Sequence, residues 1–331
     1  MIFLYLFLLH FFAIIIAYQM KGAVHMEPFV SIVKKFWANT EKEDLKRLAT
    51  QSKPDGVTEI NDIPYIDDGN KYHLLDVYYP DNTTVALPVI IDVHGGGWVY
   101  GDKELNKYFC MNMAKRGFVV FNMSYRLYDD VTVNEQLQDV GFALRWISEH
   151  GSEYPCDMEN IMLVGDSAGG QLAAYSAAIM SSAQLKHLFG VAEYEMKLTA
   201  LTLISPVAYM DDGAMGVYCR RMWGDNYKRK DTHMFMNLDS ILPMADLPPT
   251  ILITSSGDFL AQKQTHRAAE DLRRNGFIAK LLDYDAVNGK KLDHVFSVIY
   301  PESASGADAI DKFCNFFKKI ISLKTAINKE K

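Results

Sequence analysis

Cysteine is scarce in this chain, with four residues in 331, at positions 110, 156, 219 and 314. No two have the C-x-x-C spacing of a zinc or dithiol site, so Cys110, Cys156, Cys219 and Cys314 read as buried thiols and no metal is expected. Extended basic runs are absent as well. The densest, Lys228-Arg229-Lys230, follows Asp225 and precedes Asp231, and the net charge is −7, which excludes a nucleic-acid-binding role. Neither G-x-x-x-x-G-K-[S/T] nor G-x-G-x-x-G occurs, so nucleotide and dinucleotide cofactors are excluded and no cofactor is expected. There is no internal repeat. With 49% hydrophobic residues, 21 Gly and 11 Pro, disordered and collagen-like chains are excluded too.

One long apolar run is present. Residues 2–17 are interrupted only by His10, and the segment through residue 20 approaches the roughly 20 residues of a membrane-spanning helix. We read residues 1–20 as a membrane anchor, with Lys21, Lys34 and Lys35 favouring a cytoplasmic body. A cleaved secretory signal, or synthesis from Met20 or Met26, are the competing readings.

Residues 21–57 mix apolar and charged side chains at helical spacing and read as a helical cap or linker, closed by the turn Pro54-Asp55-Gly56. Strand patterns follow at 59–66, 73–79, 88–93, 118–123, 161–164, 198–204, 250–254 and 277–282. Helical patterns occur at 134–150, 168–180, 262–275 and 307–321. Near-continuous apolar runs such as Val89-Ile90-Ile91-Asp92-Val93 suit strands buried on both faces. The alternation predicts an α/β fold with a mostly parallel sheet flanked by helices. Its domain would span 58–322, with an insertion at 205–248 over the C-terminal ends of the strands and a tail at 323–331.

Two segments carry chemistry. Gly165-Asp166-Ser167-Ala168-Gly169-Gly170 is G-x-S-x-G between a predicted strand and helix, a context that exposes a nucleophilic serine at a sharp turn. His94-Gly95-Gly96-Gly97-Trp98 follows a strand, and its amides, with that of Ala168, suit an oxyanion hole. His94 is expected to brace this loop. For an acid and a base in chain order, Asp258 follows the 250–254 strand and His294 precedes the last helix. Ser167 would attack an acyl carbonyl, His294 would carry the proton and Asp258 would orient it. Asp283, Asp285 and Asp293 are competing acids, and His266 is a competing histidine on a helix. Trp98 and Tyr100 are candidate substrate-binding residues beside the glycine loop. Met210, Met215, Tyr218, Met222 and Trp223 are further pocket candidates, equally suited to core packing.

Together, His94-Gly95-Gly96-Gly97-Trp98 and Gly165-Asp166-Ser167-Ala168-Gly169-Gly170 resemble the hormone-sensitive-lipase-like carboxylesterases of the α/β-hydrolase superfamily. Gly101-Asp102, Ser124-Tyr125-Arg126-Leu127, Asp139, Asp258 and His294 before Val295-Phe296 extend the likeness over about residues 76–317. It implies an eight-stranded sheet, a partly helical N-terminal cap and cofactor-free hydrolysis of short- to medium-chain acyl esters. Tyr128-Asp129-Asp130, where the family usually has Ala-Pro-Glu, and Lys290 and Lys291 before the base are departures. An amidase or arylformamidase on the same fold, and a non-catalytic binding module, are the alternatives. The latter would lack a nucleophile or base, and both are present here.

Overall fold

A computed structural model describes residues 27–329 except 129, 212–218, 220–221, 223–230, 287–288 and 290. The apolar segment 2–20 therefore lies outside the described residues. Among those described, no helix is long and apolar enough to cross a membrane.

In chain order the elements are α1 (Glu27–Leu48), β1 (Val57–Pro64), β2 (Leu74–Pro80), β3 (Leu87–Val93), α2 (Lys107–Ala114), β4 (Val119–Met123) and α3 (Val133–His150). There follow β5 (Cys156–Asp166), α4 (Ser167–Ser181), α5 (Ala183–Phe189), β6 (Leu198–Ile204), α6 (Leu238–Ile241) and β7 (Thr250–Ser255). The chain ends with α7 (Gln262–Arg274), β8 (Ala279–Tyr284), α8 (Phe296–Ile299) and α9 (Ala304–Lys329). The eight strands form one sheet in the order β1-β2-β4-β3-β5-β6-β7-β8. The β1–β2 and β2–β4 pairs are antiparallel, and every pair from β4 to β8 is parallel.

The apolar strands are continuous because both faces are covered. Val89, Ile91 and Val93 join one core with Val119, Phe121, Leu163 and Leu252, packed with residues of α3 and α4. Ile90, Val120, Met162, Val164, Ile251 and Ile253 join the other, packed with α2 and α9. The side chains thus alternate between two dry layers, as the two-residue strand period requires. Helix α2 was not legible as a helix: Phe109 through Ala114 are all buried, so no polar stripe marks its period. Strand β5 begins at Cys156, five residues before the apolar run. Helix α9 runs on to Lys329, through most of the stretch expected to be a tail. All four cysteines are free thiols.

Behind the sheet's C-terminal edge, the fully buried Asp139 of α3 accepts three hydrogen bonds from Arg126: from its backbone N–H at 3.0 Å, Nε at 2.8 Å and Nη2 at 2.6 Å. The pair pins the segment after β4 to α3. Asp139→Ala leaves a partly buried guanidinium without its carboxylate and is expected to cost about 3 kcal/mol in denaturant unfolding, with Asp139→Asn costing less.

Candidate active site

Strand β5 ends at Asp166, and Ser167 opens α4 at φ 52°, a left-handed conformation that strains a residue with a Cβ. The turn is possible because its neighbours are small. A Cβ on Gly169 would collide with the carbonyls of Val93 and His94, so only glycine lets α4 lie against the end of β3. Ser167 is 8% exposed. Its hydroxyl lies 2.9 Å from His294 Nε2, and His294 Nδ1 lies 2.9 Å from Asp258 Oδ1. A carboxylate can only accept, so Nδ1 carries the ring proton and Nε2 accepts from the serine hydroxyl.

Asp258 is buried in the turn after β7. Besides His294 it accepts from the N–H groups of Leu260 at 3.2 Å and Ala261 at 2.9 Å, and from Thr254 Oγ1 at 3.3 Å. Burial pushes its pKa up, but attraction to and hydrogen bonding with His294, with further donors, more than offset this and hold it below the usual carboxylate value. For His294, burial opposes the charged form. The Asp258 carboxylate, assisted by Asp166, outweighs it and raises the imidazole above 6.5. The acid and base loops are stitched together where Ser255 Oγ donates to the Leu292 carbonyl at 2.8 Å. Among the competing acids, Asp283 pairs instead with His266, at 2.7 Å from its Nε2, on the surface. Asp258, rather than Asp283, Asp285 or Asp293, receives His294 Nδ1.

The glycine loop lies directly beside this chain of groups. His94 is buried, with Nδ1–H donating to the Gly95 carbonyl at 2.7 Å and its ring stacked 4.3 Å from that of Tyr125. Burial lowers its pKa to about 4, so it is neutral and braces the loop. Gly96 and Gly97 have positive φ, 109° and 59°. Gly95 differs from its expected role: its N–H donates to Asp166 Oδ1 at 3.0 Å, so that amide is committed to the elbow and not to an oxyanion. Trp98 also requires correction. It is 1% exposed, and its indole N–H donates to Gln171 Oε1 at 3.1 Å, which makes it a core residue and not a substrate surface. Tyr100 is half-buried against α1, stacked on Trp37 at 5.4 Å with its hydroxyl 3.3 Å from Asp44 Oδ2. Met210 and Met222 are buried in the core. Met215, Tyr218 and Trp223 lie outside the described residues.

Asn106 escaped sequence reasoning because no local motif surrounds it. Its Nδ2 donates at 2.8 Å to both Asp92 Oδ2 and Asp166 Oδ1. Burial, reinforced by Asp166, pushes Asp92 up to about 8, and burial pushes Asp166 up to about 6.

The sheet order and a serine on a strand-to-helix turn, bonded to a histidine and an aspartate from later loops, define an α/β-hydrolase. The family profile described as BD-FAE matches residues 75–214. Esterase B from Lactobacillus rhamnosis superposes with a TM-score of 0.88 at 29% identity, covering 93% of this chain and 100% of that one. A second structure of it, like the first an inhibited form, gives 0.86 at 30% identity, covering 92% and 100%. A probable isoprenylcysteine alpha-carbonyl methylesterase of Arabidopsis thaliana is 26% identical over 231 residues, 64% of this chain and 47% of that protein. The chain thus spans about half the length of the first curated relatives it matches. It belongs to the hormone-sensitive-lipase-like esterases of the α/β-hydrolase superfamily.

Because the folded state holds Asp92 protonated well above the 3.8 of a free carboxyl, its contribution to stability is greatest below that value and is lost as pH rises toward about 8. Asp92→Asn keeps a neutral side chain at all pH values. Its thermal stability relative to wild type is expected to improve steadily between pH 5 and 8.5, and parallel melting curves across that range would refute the assignment.

Proposed function

We propose that the protein is a serine carboxylesterase that hydrolyses short- to medium-chain acyl esters through an acyl-enzyme. The observation that carries this reading is the continuous hydrogen-bond chain Ser167–His294–Asp258 beside the glycine loop. Ser167 Oγ attacks the ester carbonyl as His294 Nε2 takes its proton, and Asp258 steadies the imidazolium. The negative oxygen of the tetrahedral intermediate accepts hydrogen bonds from the amides of Gly96, Gly97 and Ala168, the last at the N-terminus of α4, where the helix dipole adds to them. Collapse breaks the C–O bond to the alcohol, which leaves with the proton from His294. Water, deprotonated by the same imidazole, then attacks the acyl-serine and regenerates Ser167.

Residues 58–322 form the catalytic unit in this reading. Residues 21–57 are the cap or linker, whose Trp37 rests on Tyr100, 205–248 are the insertion, and Tyr100 contributes to the wall under α1. Membrane association through residues 2–20 rests on the sequence alone.

Hydrolysis of p-nitrophenyl esters from acetyl to decanoyl is expected, falling off at the long end. Ser167→Ala should lower kcat on the order of 10⁶-fold, to the residue left by the oxyanion donors. Faster cleavage of matched anilides would point to an amidase instead. Since the base must be neutral and its imidazole is raised above 6.5, kcat/KM should fall as pH drops through a midpoint above that value. A midpoint below 6 would contradict the Asp258 pairing.

A further inference from the structure

We propose that Ser255, the last residue of β7, is a positioning residue for the base: its hydroxyl clamps the backbone just ahead of His294 and so fixes the imidazole against Asp258 and Ser167. This rests on the roles of Ser167, His294 and Asp258 proposed above, and goes beyond them by assigning the side chain that holds the base loop in place.

Strand β7 is buried at every position. With a two-residue period, Ser255 shares a face with Ile251 and Ile253, which pack in the same core layer as Phe296 and Val298 of α8. A hydroxyl ending such a row is fully buried and needs an acceptor. It finds one outside its own sheet. Ser255 Oγ donates to the Leu292 carbonyl at 2.8 Å and lies 3.5 Å from that of Asp293. Those two residues lead directly into His294, whose Nδ1 is 2.9 Å from Asp258 Oδ1 and whose Nε2 is 2.9 Å from Ser167 Oγ.

The loop needs holding because it is strained. Val295 sits at φ 49°, and a β-branched residue in the left-handed region is an outlier that persists only where its surroundings enforce it. On the far side the enforcement comes from α8, where the Val295 carbonyl accepts from the N–H groups of Val298 at 2.9 Å and Ile299 at 3.1 Å. On the near side it comes from Ser255. The turn after β7 leaves no slack beneath the loop, since a Cβ on Gly257 would collide with the Leu292 carbonyl. That turn is itself tied to the sheet, with the Ser256 N–H donating to the Tyr284 carbonyl of β8 at 2.8 Å. His294 is therefore suspended between two anchored points. Losing the nearer one lets Val295 relax and swings the ring away from the carboxylate.

Burial opposes the charged form of His294, while Asp258 from the turn after β7 and Asp166 from the elbow favour it. On its own loop it is flanked by Lys291 and Asp293. A base loop that drifts from Asp258 gives up part of that carboxylate's attraction, so the acid limb of activity moves to lower pH.

The test uses the full chain as wild type, Ser255→Ala, Ser255→Cys and Ser167→Ala, assayed on p-nitrophenyl butyrate across the acid limb, with melting curves in parallel. Alanine removes the hydroxyl, and cysteine fills the same space with a weak donor. Both variants are expected to lose about 10- to 100-fold in kcat with little change in KM, Ser255→Cys the less. Both should shift the acid limb downward. Ser255→Cys, which leaves no cavity, serves where Ser255→Ala melts too low to assay. Wild-type kcat and acid limb in Ser255→Ala would overturn the proposal. So would wild-type behaviour in Ser255→Cys, which would assign the effect to filled volume, and so would a lower kcat with the limb unmoved. If wild type is no faster than Ser167→Ala, the esterase reading fails and takes this one with it; an active wild type confines any failure to Ser255.

Discussion

The left-handed backbone of Ser167 is the constraint on which the site depends. A residue with a Cβ in that conformation costs on the order of 1–3 kcal/mol and persists only where its surroundings forbid relaxation. Here α4 is jammed against the carbonyls of Val93 and His94 at Gly169, and Asp166 grips the Gly95 amide from the other side of the turn. The sheet order makes this possible. Strands β3 and β5 are parallel neighbours, so the glycine loop and the elbow leave the sheet side by side, and β6, β7 and β8 follow in sequence along the same edge. Nothing needs to travel far to meet Ser167.

Three buried carboxyl groups near the elbow behave differently because their partners differ. Asp258 faces an imidazole and several donors and is held ionised. Asp92 and Asp166 share a single amide nitrogen from Asn106, and burial drives both upward. Asp166 also accepts from the Gly95 N–H and favours the charged form of His294, whereas Asp92, whose charge is opposed by burial and by Asp166 together, is pushed further.

Much of this was legible beforehand. The strands of the central sheet announced themselves as apolar runs, and 198–204 coincides with β6. Ser167, His294 and Asp258, singled out by their places after strands and in chain order, lie within hydrogen-bond distance in the fold. Less legible was anything set by approach and not by pattern. The adjacency of Trp98 to the loop suggested a ligand surface, yet its indole turns inward to Gln171. The Gly95 amide looked like one of three equivalent donors until the register of β3 against β5 brought the Asp166 carboxylate to it. Asn106 carries no motif, so its place between two buried carboxyl groups appears only in the fold.

Helix α1 and the turn that follows it touch the site's surroundings from two directions. Arg47 Nη2 donates to the Leu105 carbonyl at 3.3 Å, near the glycine loop, and Gln51 Nε2 to the Ile299 carbonyl at 2.9 Å, five residues past His294. With Trp37 resting on Tyr100, the helix acts as a strap over both walls. Lifting it to admit a bulky alcohol group would slacken the donor wall and the base wall in one movement. Large esters would then be disfavoured through slower chemistry in a loosened site, even where space allows them in. Discrimination of that kind appears in turnover more than in affinity.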